Sequence, residues 1–120
     1  MTETDRILEE RTLAEIRDLM AEDFPSFIEH FLGDAADLLD DVGRALAADE
    51  ARGIEIAAHT LKSSAASLGA RALCETARDL EAKGRARDLA DVDALLAQAR
   101  TEFQRLQDVL AAMNDRPRPN

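Results

Sequence analysis

Apolar residues recur at helical intervals along almost the whole chain, and this periodicity constrains the fold more than any other feature. In the last long segment, Leu96, Ala99, Phe103, Leu106 and Leu110 follow one another at steps of three or four residues. Such spacing places apolar side chains on one face of an α-helix, whereas a half-buried strand needs strict alternation. Aromatic residues make up only 3% of the chain, which disfavours a sheet. The pattern therefore predicts an all-α protein.

Five helices are predicted from these apolar stripes and from the residues that separate them. They are expected at about 12–23, 25–48, 50–68, 71–85 and 91–113. Thr12 and Glu15 have the spacing of a capping box, Pro25 suits a first helical turn, and Asp49 is the predicted N-cap of the third helix. Short connections favour an antiparallel four-helix bundle of the last four helices, with the first helix packed across one end.

The chain has 120 residues, which fits one domain. We expect residues 1–11 to be a polar lead-in, residues 12–114 to be the helical bundle and residues 115–120 to be a disordered tail. Both termini are typical of true ends, so a free-standing protein is expected rather than a piece of a larger kinase. Because each helix uses its one apolar stripe for the core, a monomer is expected.

Charge and cysteine content exclude several classes of partner. The net charge is −10, so the chain lacks the basic surface that nucleic acids or anionic membranes require. No apolar run approaches the roughly 20 residues of a membrane span, and the acidic N-terminus is wrong for a signal peptide. Cys74 is the single cysteine, so no internal disulfide is possible. A cytoplasmic location is expected.

The predicted third helix carries the candidate chemistry. On a helical projection its buried stripe consists of Ile54, Ala57, Ala58, Leu61, Ala65 and Leu68. Measured from Ile54, His59 lies at about 140° and Ser63 at about 180°, on the solvent side. Lys62 lies at about 80°, one turn after the histidine.

A surface histidine on an Ala-rich helix is often incidental, so position alone does not assign it a function. Lys62 is one of two lysines beside 13 arginines, and a lysine acts as a mobile point charge toward phosphate. Ser63, Ala66 and Ser67 are small, which lets another protein approach the histidine closely. These observations add support for a functional histidine, and on the residues alone the incidental interpretation stays open.

Residues 58–70 read AHTLKSSAASLGA, and this stretch resembles the signature of the histidine-containing phosphotransfer (HPt) domain family, His-x-Leu-Lys-Gly-Ser-x-x-x-Leu-Gly-Ala. The resemblance implies that His59 accepts the phosphoryl group, that Lys62 neutralises it and that Gly69 forms the turn after the helix. Ser63 departs from the family's usual Gly. The resemblance also implies an all-α bundle that acts as a phosphocarrier in two-component signalling.

The partners implied by the resemblance are response-regulator receiver domains and a hybrid histidine kinase. A receiver domain would supply a phosphoaspartate and its metal ion, and a second receiver would take the group from His59. The chain itself has no Gly-rich phosphate loop, no nucleotide motif and no acidic cluster typical of a Mg²⁺ site, so neither cofactor nor metal is predicted. It is therefore expected to be a carrier and not an enzyme.

Three residues around His59 have alternative interpretations. Glu55, at about 100°, either accepts a hydrogen bond from the second imidazole nitrogen or is an ordinary solvated carboxylate. Ser63 is a candidate donor to phosphate oxygens. Ile56, at about 200°, either forms a docking surface together with Ala66 or packs against a neighbouring helix.

Three other functions are alternatives to the phosphorelay: a kinase dimerisation domain, a metal site and a helical adaptor. A histidine-kinase dimerisation domain typically has an acidic residue directly after its histidine, whereas Thr60 follows His59. A metal site of His30, His59 and Cys74 would need three helices to converge and lacks the Glu-x-x-His pairs of bundle metal sites. A helical adaptor that binds a signalling partner without phosphorylation is the main alternative.

Overall fold

The structure is a computed structural model that describes residues 3–114. Across that range it consists of helices, without any β-strand, so the predicted all-α class is confirmed. The helices are α1 (Glu3–Ile7), α2 (Glu10–Met20), α3 (Phe24–Ala47), α4 (Ala51–Leu68), α5 (Arg71–Ala86) and α6 (Val92–Asn114), with a 3₁₀ turn at Ala21–Asp23.

The four long helices, α3 to α6, form a closed ring. α4 packs against α3 on one side and α5 on the other, and α6 packs against both α5 and α3. Only residues 48–50 separate α3 from α4, and only residues 69–70 separate α4 from α5. Such short connections make consecutive packed helices antiparallel. The most extensive contact is that between α4 and α5, the pair that carries the candidate site.

Each long helix buries one apolar stripe in the middle of this ring. The six residues of the stripe predicted for the third helix are the buried residues of α4. They meet Ile28, Phe31, Ala35, Leu39 and Val42 of α3, Leu73, Ala77 and Leu80 of α5, and Val92, Ala99, Leu106 and Leu110 of α6. Burial of these side chains fixes the rotation of α4, and with it the direction of His59.

The N-terminal segment differs from the prediction. Ile7 and Leu8 are buried in the core, so the expected lead-in over residues 1–11 is partly packed structure. α1 contacts α5 and α6, while α2 contacts α3 and α4. The capping box proposed at Thr12 was wrong, because α2 already begins at Glu10 and its N-cap, Glu9, makes no side-chain cap hydrogen bond. The two apolar residues were overlooked because charged residues surround them.

The remaining helix ends agree more closely with the sequence. Pro25 lies in the first turn of α3, where a missing N–H costs nothing. The N-cap of α4 is Glu50, not the predicted Asp49, and it makes no side-chain cap hydrogen bond. The predicted tail at 115–120 lies outside the described residues. Over residues 3–114, no helix has the length and apolar character to cross a membrane.

Candidate functional site

His59 lies on the outward face of α4, with 61% of its side chain exposed. Its sequence neighbour Ala58 is fully buried, and Leu61 two residues later is buried as well. The helix therefore points the imidazole away from the core, as the helical projection predicted. Lys62 follows one turn later and is about half as exposed.

A buried carboxylate from α5 joins the two side chains. Glu81 exposes only 4% of its side chain, and its Oε2 lies 2.6 Å from His59 Nδ1. Lys62 Nζ donates a hydrogen bond to the other oxygen, Oε1, at 2.5 Å. Arg85 donates to Oε2 as well, at 3.2 Å. One carboxylate thus holds the imidazole and two cations.

The charge of Glu81 selects the tautomer of a neutral imidazole at His59. The hydrogen bond from Lys62, and secondarily that from His59, lowers the pKa of the Glu81 carboxyl, and this outweighs the effect of burial. An ionised carboxylate can only accept a hydrogen bond, so in the neutral imidazole Nδ1 carries the hydrogen and Nε2 keeps its lone pair. Because the pKa is lowered on folding, the charge stabilises the fold at neutral pH, and that contribution is lost as pH falls through the lowered pKa.

Of the two interpretations of Glu55, the structure has no hydrogen bond between its carboxylate and the imidazole; the carboxylate pairs with arginines instead. Its carboxylate accepts hydrogen bonds from Arg52 at 2.9 Å and from Arg85 at 3.3 Å. The hydrogen bond from Arg52 is the main reason why the pKa of Glu55 is lowered. Arg85 therefore bridges Glu55 and Glu81, and the partner of the ring comes from α5 instead of α4.

Sequence reasoning missed Glu81, although a signal was present. Glu81 lies eight residues after Leu73, on the same face as the stripe of Leu73, Ala77 and Leu80. A carboxylate on a buried stripe requires compensating partners, because an isolated buried charge is very costly. The chain supplies them from α4, a helix whose relevant residues are about twenty positions away.

A glycine in α5 allows the close approach that this contact needs. A Cβ added at Gly84 would lie 2.6 Å from the backbone nitrogen of Glu55 and 2.8 Å from the carbonyl oxygen of Ala51. Only hydrogen fits between the two backbones at this crossing. The close packing of α5 on α4 brings Glu81 within hydrogen-bonding distance of His59.

Gly69 ends α4 in the left-handed conformation that the sequence predicted, with φ 86°. Its carbonyl oxygen accepts a hydrogen bond from the backbone N–H of Glu9 at 2.8 Å. An added Cβ would lie 3.1 Å from the Cβ of Thr12. Gly69 therefore forms the turn after α4 and also accommodates the N-terminal segment.

The surface beside His59 is bare and partly apolar. Ser63 and Ala66 are exposed, as expected. Ile56 is 54% exposed, so about half of this apolar side chain is open to solvent. It borders a groove of about 430 Å³ between α3 and α4, whose other apolar walls include Leu38 and Ala57.

The other chemistry-bearing side chains lie apart from this site. His30 is exposed on α3, and Cys74 on α5 is a partly buried free thiol. In the part of the chain that the structure describes, no group of His, Cys, Asp or Glu residues is arranged to hold a metal ion.

Comparison with known proteins decides the family. The family model described as the Hpt domain matches residues 26–113, which include the whole of the α4–α5 pair. The chain belongs to the Hpt domain family. The crystal structure of histidine-containing phosphotransfer protein B (HptB) from Pseudomonas aeruginosa PAO1 is similar to this Hpt domain, with a TM-score of 0.88 and 27% identity over 93% of this chain and 97% of that one. Comparison with curated proteins finds no match.

The function class predicted from residues 58–70 is confirmed by the family match and by the likeness to HptB: this Hpt domain is a phosphotransfer intermediate in phosphorelay signalling. Members of the family are phosphocarriers that interact with receiver domains and kinases.

Proposed function

We propose that His59 accepts a phosphoryl group from the aspartate of one receiver domain and passes it to the aspartate of another. The observation that carries this proposal is the hydrogen bond between His59 Nδ1 and the buried Glu81 carboxylate. It supports an imidazole whose Nε2 lone pair is exposed and available to attack phosphorus. His30, the other histidine, is exposed on a different helix, α3.

In the proposed reaction the chain contributes positioning and charge. Phosphoryl transfer passes through a loose transition state with charge on three equatorial oxygens. Lys62 lies one turn from His59 and turns its ammonium from Glu81 toward those oxygens as they arrive. Ser63, on the exposed side of α4, donates a further hydrogen bond to them. The metal ion in this reaction belongs to the receiver domain.

The proposal extends to the surroundings of the site. We assign Ile56 and Ala66 to the surface on which the receiver docks, since Ile56 is an exposed apolar residue beside His59. We treat the chain as a monomeric carrier without kinase activity of its own, charged through a hybrid histidine kinase. The cytoplasm is the proposed compartment, because a free thiol such as Cys74 suits reducing conditions.

The proposal is tested by incubating the purified chain with a panel of receiver domains that carry radiolabelled phosphoaspartate. We expect the label to move to this chain and to be labile in acid but stable in base, as phosphoramidates of histidine are. Failure of every receiver in the panel to label the chain would contradict the proposal and favour the adaptor that binds without being phosphorylated.

Replacing Lys62 with Ala should slow transfer to the chain by about 10- to 100-fold, which corresponds to losing one charge-assisted hydrogen bond worth about 1.5–3 kcal/mol. Arg85 and His59 still bind Glu81, so the fold should persist. The rate is measured by rapid quench and the fold by circular dichroism.

The other lysine of the chain provides the matched control for Lys62. Lys83 binds Asp88 beside the groove between α5 and α6 and does not contact His59 or Glu81. Lys83→Ala should therefore transfer at the rate of the wild type. Equal rates for Lys62→Ala and the wild type would remove the role proposed for Lys62.

A further inference from the structure

The side chain facing Nδ1 of His59 can accept a proton but has none to give. Glu81 accepts a hydrogen bond from Lys62 on Oε1, and it accepts hydrogen bonds from His59 and Arg85 on Oε2. A carboxylate held by cations in this way can only accept hydrogen bonds. An amide at the same position could rotate and donate a hydrogen bond through its NH₂ group. The ring therefore faces a partner that favours one of its protonation states.

We propose, on the basis of the proposed role of His59, that Glu81 keeps the Nδ1 proton on the ring after Nε2 has been phosphorylated. The carrier then holds its phosphoryl group in the form that leaves most readily. Glu81 is in this view a positioning residue that also sets how long the phosphorylated state lasts.

The step in which His59 accepts the phosphoryl group shows why the proton stays on Nδ1. The Nε2 lone pair forms the N–P bond while the P–O bond to the receiver's aspartate breaks, and the electron pair of that bond remains on the aspartate carboxylate. The ring becomes a cation with hydrogen on Nδ1. If that proton left, the Nδ1 lone pair would face Glu81 Oε2 across 2.6 Å, with two acceptors and no hydrogen between them. Hydrogen bonding to the charged form favours that form.

The retained proton on Nδ1 facilitates the step in which His59 passes the phosphoryl group to the second receiver. An oxygen of the second receiver's aspartate forms the new P–O bond, the N–P bond breaks, and its electron pair returns to Nε2. With Nδ1 already protonated, the departing group is a neutral imidazole and not an imidazolate anion. Hydrolysis follows the same course, with the oxygen of water forming the P–O bond and its proton passing to the solvent.

The charges around the ring come from all packed elements. On α4 they are Lys62 and, one turn before the histidine, Glu55; on α5 they are Glu81 and Arg85. The positive charges of Lys62 and Arg85 disfavour a positively charged ring. However, Arg85 also pairs with Glu55, and the phosphoryl group attracts Lys62. On the other flank, α3 contributes Asp41 and Arg44, which pair with each other in the groove beside Ile56 and Thr60. The Glu81 charge is therefore the one in contact with Nδ1.

The experiment measures the decay of the labelled, purified chain from pH 5 to pH 9 after removal of the receiver. In Glu81→Gln we expect the label to last about tenfold longer at pH 7.5, because the amide N–H can donate to a deprotonated Nδ1. The pH at which decay becomes slow should move to a lower value. A merely structural role of Glu81 would not move this pH profile.

Two controls keep the outcome decisive. Glu55→Gln removes the neighbouring carboxylate that shares Arg85 but does not touch the ring, and it should keep the profile of the wild type. The wild type unfolded in urea loses the Glu81 contact without any substitution, and its label should be the longer-lived one at pH 7.5. The comparison of native and unfolded wild type therefore tests the role of Glu81 even if Glu81→Gln does not fold.

Identical pH profiles for the native wild type and the urea-unfolded chain would overturn the inference, and so would identical profiles for wild type and a folded Glu81→Gln. Either result would leave His59 as the carrier. If the wild type takes no label from any receiver, the proposed function fails first, so the two failures are distinguishable.

Discussion

Replacement of His59 by Gln is expected to abolish phosphoryl transfer to this chain while leaving its helical fold unchanged. An amide nitrogen has no lone pair available for attack on phosphorus, so no covalent bond can form. The amide can still donate a hydrogen bond to Glu81, and the side chain at this position is largely exposed. Because this hydrogen bond can be kept, the free energy of unfolding should change by no more than about 1 kcal/mol, the net value of one hydrogen bond. The assay is the label transfer described above, with thermal unfolding measured in parallel.

The control for this replacement is the second histidine. His30 is exposed on α3, and His30→Gln should be labelled at the rate of the wild type. Label that persists in His59→Gln, or that disappears in His30→Gln, would show that the carrier residue has been misassigned.

Replacing Gly84 with Ala is expected to lower the free energy of unfolding by about 2 kcal/mol and to weaken the contact between His59 and Glu81. The new methyl group would lie 2.6 Å from the backbone nitrogen of Glu55, a distance that forces α5 away from α4. Helix propensity alone would favour Ala over Gly by about 1 kcal/mol, so steric overlap must exceed this gain. Chemical denaturation measures the change in stability, and the rate of label transfer measures the change at the site.

A second glycine provides the control for this prediction, because the same substitution there should change the free energy of unfolding in the opposite direction. Gly33 lies in α3, and an added Cβ would have no heavy atom within 4 Å. Gly33→Ala should therefore raise the free energy of unfolding by up to about 1 kcal/mol and leave transfer unchanged. If Gly84→Ala stabilises the chain as Gly33→Ala does, the close crossing of α4 and α5 is not as described.

Periodicity within single helices was enough to predict much of this structure. The stripe from Ile54 to Leu68 is buried, and His59 faces outward, because both follow from rotation about one helix axis. Gly69 takes the left-handed conformation for a local reason as well, since only a residue without Cβ adopts it at little cost. The resemblance over residues 58–70 named the same histidine independently.

The features that the sequence did not reveal depend on contacts between helices. Glu55 and Glu81 are equivalent as charged residues, and only the packing of α5 on α4 decides which one reaches His59. The burial of Ile7 was hidden in the same way, because α1 packs on the distant helices α5 and α6. A helical projection shows which face is buried but not which neighbour covers it.

The central claim, that Nε2 of His59 carries the phosphoryl group while Glu81 holds Nδ1, is tested most directly by nuclear magnetic resonance of the phosphorylated, ¹⁵N-labelled chain. The account predicts ¹⁵N–³¹P coupling to a single imidazole nitrogen, the Nε2 of His59, with the His30 ring unchanged. Coupling to Nδ1 of His59, or to either nitrogen of His30, would contradict it.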